Sequence, residues 1–116
     1  MSQKAGEAAL RGPQDCVHRF REVYRARRDQ VRDALADTDL LTAVPRGAFY
    51  ALLDVSRTGL AAMEFAKELL EEQHVAVTPC ESFGPGGAGK VRISFTTADD
   101  LLKEGLDRIA RFARRG

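Results

Sequence analysis

The segment Val75–Phe95 contains the residue whose chemistry is easiest to define, Arg92. Its sequence is VAVTPCESFGPGGAGKVRISF, an apolar stretch followed by a glycine-rich loop and a run of alternating character. This alternation predicts a strand with one apolar face, made of Val91, Ile93 and Phe95, and one polar face. Arg92 lies on the polar face, after a loop with few side chains to cover it. A guanidinium held there can bind a planar anion through two parallel hydrogen bonds, so the segment predicts recognition of a carboxylate or a phosphate.

The glycine-rich loop also matches the spacing of a nucleotide-binding P-loop, G-x-x-x-x-G-K, from Gly84 to Lys90. Two physical requirements of that site are not met. Val91 stands where a hydroxyl is needed for magnesium, and VRISF is predicted to be a strand where the phosphates need a helix N-terminus. Pro85 also removes one of the amides that such a loop offers. The sequence therefore does not predict a nucleoside triphosphate site.

The remaining reactive side chains form no catalytic constellation. His18 and His74 have no cysteine or acid at ligand spacing, so no metal site is expected. Cys16 and Cys80 lie far apart in the sequence, which favours reduced thiols over a disulfide. There is no nucleophile elbow and no cluster of acids suited to general acid–base catalysis. The chain thus offers a binding group, Arg92, and no catalytic residue.

The elements that must position Arg92 follow the order α–α–β–α–β–β–α. This order predicts an α/β fold, in which a small sheet of about three main strands is covered by helices and preceded by a long linking helix. The predicted strands are Gly47–Asp54, Val75–Thr78 and Lys90–Phe95, and the first of them is expected to be mostly buried. The predicted helices are residues 1–11, 13–36, 60–73 and 98–114.

Apolar residues at helical spacing predict which helix faces are buried. Thr97 is the expected N-cap of the last helix. The expected buried side chains are Val17, Phe20, Tyr24, Val31 and Leu35 in the linking helix, Ala62, Met63, Ala66, Leu69 and Leu70 in the next helix, and Leu102, Leu106, Ile109 and Ala113 in the last.

Composition indicates one ordinary soluble domain, with 116 residues of which 44% are hydrophobic and 30% charged. The net charge of +1, from 18 basic and 17 acidic side chains, creates no overall field that would attract nucleic acid or anionic lipid. Acids interspersed among the arginines of the linking helix predict a solvated, salt-bridged surface. No apolar run approaches the roughly 20 residues of a membrane span, and no signal peptide is recognisable. We therefore expect a cytoplasmic protein without nucleic-acid or membrane partners.

Longer motifs accompany these features over almost the whole chain. They are SQKAGEAALRGPQDCV, YRARRDQV, PRGAFYALLDV, VTP-x-x-x-FGPGG-x-G-x-VRIS and EGLDRIARF. With them the chain closely resembles the C-terminal part of class I/II aminotransferases, the pyridoxal-phosphate enzymes of the aspartate aminotransferase fold (fold type I). The motif that contains VRIS is the most specific part of this resemblance.

The resemblance implies transfer of an amino group between an amino acid and a 2-oxo acid, with pyridoxal phosphate (PLP) as cofactor. It implies that Arg92, in the VRIS strand, binds the α-carboxylate of the substrate. The lysine that forms the Schiff base with PLP, and the residues that seat the cofactor, would lie upstream; Lys4 lacks the surrounding pattern. Residues 1–37 would be the end of a large-domain helix and the linking helix, and residues 38–116 the small C-terminal domain. As a fragment, the chain is expected to be inactive and to hold no PLP.

One position departs from the family pattern, because Cys80 stands where the family usually has the glycine of VTPG. A positive φ at this position would strain a cysteine by about 1 kcal/mol or more. A slightly different turn, or a position that does not require glycine, would avoid that strain. The resemblance places the Cys80 thiol near the edge of the site.

Two other interpretations remain open. A non-catalytic small-anion-binding or regulatory module could have kept this fold and Arg92. A purely structural or dimerisation domain would pair Arg92 with an internal acid such as Asp54. We also expect a homo-oligomer, because apolar surface near Phe20, Tyr24 and Val31 would be uncovered without the large domain and would drive self-association. The sequence does not identify the amino acid or the 2-oxo acid.

Overall fold

The computed structural model describes residues 1–115, which form four helices, three short strands and connecting turns. The helices are α1 (Ser2–Arg11), α2 (Asp15–Ala34), α3 (Ala62–Gln73) and α4 (Asp99–Arg114). The strands are β1 (Tyr50–Asp54), β2 (Thr78–Pro79) and β3 (Lys90–Ser94). Single 3₁₀ turns occupy Ser56–Thr58, Glu81–Phe83 and Pro85–Gly87.

The strands form one antiparallel sheet in the order β1-β3-β2. Leu52 of β1 and Thr78 of β2 are the partners of Arg92 on either side. The predicted α/β fold, a small sheet covered by helices, is confirmed. Because β3 lies in the middle of the sheet, Arg92 stands at its centre with a strand on each side.

Helices cover one face of the sheet. The side chains that point to this face, from Ala51, Leu53, Val91 and Ile93, are all buried. Helices α3 and α4 pack against them and against each other, with the rings of Phe65 and Phe112 edge to face at 5.1 Å. In α4 the predicted buried residues Leu102, Leu106 and Ile109 are confirmed, whereas Ala113 is only partly buried.

Only the second half of α2 contacts this core, beginning with the partly buried Tyr24. Val31 and Leu35 are 0% and 1% exposed, but Val17 and Phe20 are 52% and 60% exposed, so the continuous buried stripe that the sequence predicted is wrong. Val31 also cannot belong to an uncovered apolar patch. Helix α1 ends at Arg11 as predicted and buries no residue. The division of the chain at residue 37 stays a prediction.

All three predicted strands are shorter in the structure, although β3 lacks only Phe95. β1 begins at Tyr50 instead of Gly47, because Ala48 adopts a left-handed conformation (φ 58°) that interrupts an extended chain. It alternates between exposed and buried residues and is not mostly buried. β2 is confined to Thr78–Pro79, since Val75 and Val77 pack partly onto the core without pairing with β3.

The predicted helix details also need correction. In α3, Met63 and Leu70 are 61% and 51% exposed, because Phe65 turns toward the core and rotates the buried face. Ala98, not Thr97, is the N-cap of α4, and no side chain caps it. None of the described helices combines the length and the hydropathy that a bilayer crossing requires.

Candidate functional site

The uncovered face of the sheet carries Arg92. Because opposite residues in an antiparallel sheet share a face, Leu52, Arg92 and Thr78 form a row across the three strands. Arg92 is half-buried and Leu52 is 42% exposed, so no helix covers this row in the described residues. The sequence prediction that Arg92 lies opposite the buried face of β3 is confirmed.

Two aromatic rings hold the guanidinium of Arg92. Its Cζ lies 4.2 Å from the centroid of the Tyr50 ring and 5.3 Å from the centroid of the Phe83 ring. Tyr50 comes from β1, two residues before Leu52, and Phe83 ends the 3₁₀ turn that follows β2. Arginine stacks well on aromatic rings, and such contacts restrict the side chain without using its N–H donors. The donors of Arg92 therefore remain available.

Within residues 1–115, no carboxylate pairs with Arg92. Asp54, the internal acid considered above, instead accepts hydrogen bonds from the Ser56 hydroxyl at 2.5 Å and from the Ser56 backbone N–H at 2.9 Å. These bonds, the hydroxyl bond first, lower the pKa of Asp54. The structure therefore does not contain the Arg92–Asp54 pair of the structural alternative.

The glycine-rich loop positions Phe83 through close backbone packing. A Cβ added at Gly87 would lie 2.0 Å from the carbonyl oxygen of Cys80, so only glycine fits there. Gly84, with φ 124°, turns the chain directly after Phe83. Lys90 donates from Nζ to the carbonyl of Gly86 at 2.8 Å, and β3 begins at this residue. The structure thus has a strand where a P-loop needs a helix.

Cys80 fits this loop without backbone strain. Its φ of −98° is one that any residue adopts, so the glycine of the VTPG pattern is not needed for its conformation. The side chain is buried, and Sγ donates to the carbonyl of Thr78 at 3.6 Å. Burial raises the pKa of the Cys80 thiol, although the nearby charge of Arg92 acts in the opposite direction. The thiol is thus packed inside the loop, with only 3% of the residue exposed.

Comparison with known proteins agrees with this geometry. The family model described as aminotransferase class I and II matches residues 1–109. The chain belongs to this family. A putative aminotransferase of Bacillus subtilis, YugH, is 36% identical over 115 residues, which are 99% of this chain and 30% of that protein.

Two solved structures support the same aminotransferase fold. The aromatic aminotransferase from Pyrococcus horikoshii OT3 matches with a TM-score of 0.86 and 37% identity over 92% of this chain and 29% of that chain. A PLP-bound putative aminotransferase from Clostridium difficile 630 matches with a TM-score of 0.83 and 27% identity, over 92% and 28% of the two chains. This aminotransferase sequence therefore spans about 30% of the length of the curated relatives it matches.

The described residues do not fit a PLP site on their own. Lys4 lies on the solvent-exposed helix α1 beside Glu7, and Lys67 is exposed on α3. Lys103 pairs with Asp107 at 2.9 Å, and Lys90 is bonded to the loop as described. A Schiff-base lysine needs a desolvated setting beside groups that hold the cofactor, which none of these has. Residues 1–115 also contain no cluster of metal-ligating side chains.

Sequence reasoning missed the two aromatic residues that contact Arg92. Tyr50 lies in the predicted strand at an even spacing from Leu52, so strict alternation would have assigned it to the uncovered face. Phe83 gave no such signal, because its position depends on the fold of the glycine-rich loop.

Proposed function

We propose that this chain is the small-domain part of a PLP-dependent aminotransferase and that Arg92 binds the α-carboxylate of the amino-acid or 2-oxo-acid substrate. The observation that carries the proposal is the guanidinium of Arg92, which lies between Tyr50 and Phe83 on the uncovered face of the central strand. The family membership supports amino-group transfer as the reaction of the complete enzyme.

The surroundings of Arg92 suit a carboxylate better than a monodentate anion. A guanidinium presents two parallel N–H donors, which match the two oxygens of a carboxylate. The rings of Tyr50 and Phe83 limit the rotation of this fork and exclude water from its faces. Both effects lower the free-energy cost of ordering the Arg92 side chain when the substrate binds. Arg92 therefore orients the substrate, and it transfers no proton.

The cofactor would be held by other parts of the complete enzyme. A structural relative of this chain is PLP-bound, while the lysines described here do not fit a cofactor site. We therefore assign to these 116 residues the binding of substrate and no chemical step. The same reasoning gives the expectation that the chain alone neither transfers amino groups nor binds PLP specifically.

A segment exchange tests the role of Arg92. The segment of the Pyrococcus horikoshii aromatic aminotransferase that aligns with this chain would be replaced by it, and kcat/KM would be measured with aromatic amino acids. In an active chimera, Arg92→Lys should lower kcat/KM tens- to thousands-fold, since loss of a buried charge-assisted contact costs about 2–5 kcal/mol. The absorbance of bound PLP should stay unchanged.

Arg111→Lys is the matched control, because Arg111 is an exposed arginine of α4. It should leave kcat/KM within about twofold of the unmodified chimera, as expected for a surface substitution. Full activity of the Arg92→Lys chimera would assign carboxylate binding to another residue. Equal losses in both variants would show that the exchange itself, and not Arg92, causes the effect.

The free guanidinium of Arg92 also suits a second candidate, a small-anion-binding module that has lost catalysis. The two functions differ in what must accompany this chain. An aminotransferase needs a large domain with a PLP lysine encoded in the same reading frame, and a binding module does not. Sequencing the complete reading frame distinguishes them directly.

Self-association of the chain is a further part of this proposal. Leu10, Val17 and Phe20 are 83%, 52% and 60% exposed, an apolar surface that would seek a partner, either another copy or a large domain. We expect the 116-residue chain to form dimers or larger species in light scattering, and Phe20→Ser to shift it toward monomer. A clean monomer at high concentration would contradict this expectation.

A further inference from the structure

A second cleft lies between α2 and the loop that leads into β1. Its volume is about 280 Å³, and Arg92 is not among the residues that line it. Aromatic side chains form one wall: the Tyr24 ring lies 5.9 Å from that of Phe49 and 6.4 Å from that of Phe95, measured between centroids. Phe49 is 36% exposed, so part of this wall is open to a ligand.

Four arginines surround the same cleft. Three come from one face of α2, at positions 21, 25 and 28, and the fourth is Arg46 of the loop. Arg25 pairs with Glu22 at 3.3 Å and Arg28 with Asp29 at 2.9 Å. In the part of the chain that the structure describes, Arg21 and Arg46 have no carboxylate within 4.0 Å and no hydrogen bond. The cleft therefore carries positive charge that the protein itself does not neutralise.

The loop that supplies Arg46 is held in an unusual conformation. Ala48, which also lines the cleft, has φ 58°, a left-handed value that alanine rarely adopts. This turn lies between Arg46 and Phe49 in the sequence, and both of these residues line the cleft. Strained backbone of this kind is maintained by its surroundings and recurs at ligand sites. The strained turn at Ala48 is therefore a third feature of this cleft, beside its positive charge and its aromatic wall.

We propose that this cleft binds a mononucleotide, in which a sugar separates the phosphate group from the planar base. A phosphate has a charge of about −1.5 to −2 and three acceptor oxygens, which suits two guanidinium groups without partners. The planar ring packs against Phe49 and Tyr24, since aromatic surfaces favour stacked or tilted contacts. The cleft volume of about 280 Å³ lies just below the range of roughly 300–1,000 Å³ that is usual for ligand sites. The site uses different residues from the carboxylate site at Arg92.

Three probes separate the contribution of the phosphate group to binding from that of the planar ring. Binding of AMP, inorganic phosphate and adenosine to the 116-residue chain would be measured by calorimetry at low ionic strength, about 50 mM salt, to limit screening. We expect AMP to bind at least about tenfold more tightly than phosphate, a ratio that corresponds to one well-packed ring. Adenosine, which lacks the charge, should bind more weakly than both.

Paired substitutions locate the site. Arg21→Gln combined with Arg46→Gln should weaken AMP binding by at least about tenfold, because two charge-assisted contacts are lost. The matched control is Arg19→Gln combined with Arg111→Gln, which removes two exposed arginines outside the cleft. It should change AMP binding by less than about twofold. Phe49→Leu should reduce the preference for AMP over phosphate while leaving phosphate binding unchanged.

Thermal unfolding followed by circular dichroism would verify that each variant is folded before its affinity is compared. Equal losses of AMP affinity in the two arginine pairs would assign anion binding to the general positive charge of the protein surface and would contradict a site in the cleft. Absence of AMP binding to the folded chain, or a preference for phosphate over AMP, would overturn the proposed ligand class. Every variant keeps Arg92, which can itself bind a small anion, so failure of the cleft variants to change AMP binding would leave the proposed aminotransferase role unaffected.

Discussion

The two faces of the sheet are built from the same strands and serve different purposes. On the covered face, Leu53 and Val91 are 0% exposed and pack under α3 and α4. On the uncovered face, Leu52 and Tyr50 are 42% and 39% exposed, and Arg92 has no ion-pair partner in residues 1–115. One residue along a strand thus separates a position that stabilises the fold from a position that is available to a ligand.

This division explains why an unpaired arginine is compatible with a stable domain. Burying a charge without a partner is costly, so the core contains no polar or charged side chain among the described residues. Arg92 avoids that cost because it stays half-buried against the rings of Tyr50 and Phe83. Water can hydrate its N–H donors in the free protein, and a ligand displaces that water only when it binds.

The largest expected difference in stability is between alanine substitutions at two neighbouring leucines of β1. Leu53→Ala should lower the free energy of unfolding by about 2–5 kcal/mol, because it leaves a cavity in the core. Leu52→Ala, on the uncovered face, should lower it by less than about 1 kcal/mol. Urea unfolding followed by circular dichroism measures both. Similar losses for the two variants would mean that the uncovered face is packed in solution.

A smaller difference in stability is expected between alanine substitutions at two neighbouring glycines of the loop. Gly87→Ala forces a Cβ toward the Cys80 carbonyl, so the loop must shift, at a cost of about 1–3 kcal/mol. Gly86→Ala meets no atom within 4 Å and should be nearly neutral. The same unfolding experiment provides the comparison. If Gly87→Ala proved neutral, the loop would not hold Phe83 in the way described.

The contact between Arg92 and Phe83 should contribute little to stability. We expect a double-mutant cycle of Arg92→Gln and Phe83→Leu to give a coupling of about 0.5–1 kcal/mol, as for other exposed cation–π contacts. Each single substitution should cost less than about 1 kcal/mol. A much larger loss of stability for Arg92→Gln would show that Arg92 has a structural role. That result would argue against Arg92 as a ligand-binding residue.

The smallest expected effect concerns the pH dependence at Asp54. The pKa of its carboxyl is lowered by the Ser56 hydroxyl and then by the Ser56 backbone N–H. A lowered pKa stabilises the folded state above the unfolded pKa of the group, and that contribution disappears as the pH falls through the folded pKa. Ser56→Ala should therefore cost up to about 0.5 kcal/mol at neutral pH and less at about pH 2.5. Unfolding curves at the two pH values test this, and a loss that grew in acid would contradict it.

The alternation and helical spacing of apolar residues predicted the strand that carries Arg92 and the buried face of α4. The alternation around Arg92 gave the correct strand and the correct face, because a strand places successive side chains on opposite sides. The buried positions Leu102, Leu106 and Ile109 followed from helical spacing in the same way. The resemblance to class I/II aminotransferases, carried by the VRIS motif, is confirmed by the family match.

Features that depend on tertiary packing were not predictable from these signals. Met63 and Phe65 are both apolar residues of α3, and only contact with the core decides that Phe65 is buried. Val75 and Val77 have strong strand propensity, yet they lie outside β2 because they pack toward the core. The close approach of Gly87 to Cys80, and the position of Phe83 that follows from it, require the folded loop.

The position of β3 in the middle of the sheet has a consequence for biosynthesis. β1 and β2 each pair with β3 and not with each other, so neither finds its ladder partner until Lys90–Ser94 have been made. A ribosome adds about 5–20 residues per second, so β1 waits on the order of seconds for its partner. During that interval Leu53 and Ala51 lack both the central strand and the helix α4 that later cover them. The nascent chain therefore carries β1 with only its Leu41 edge bridged and its apolar side uncovered, which is the kind of segment that chaperones recognise.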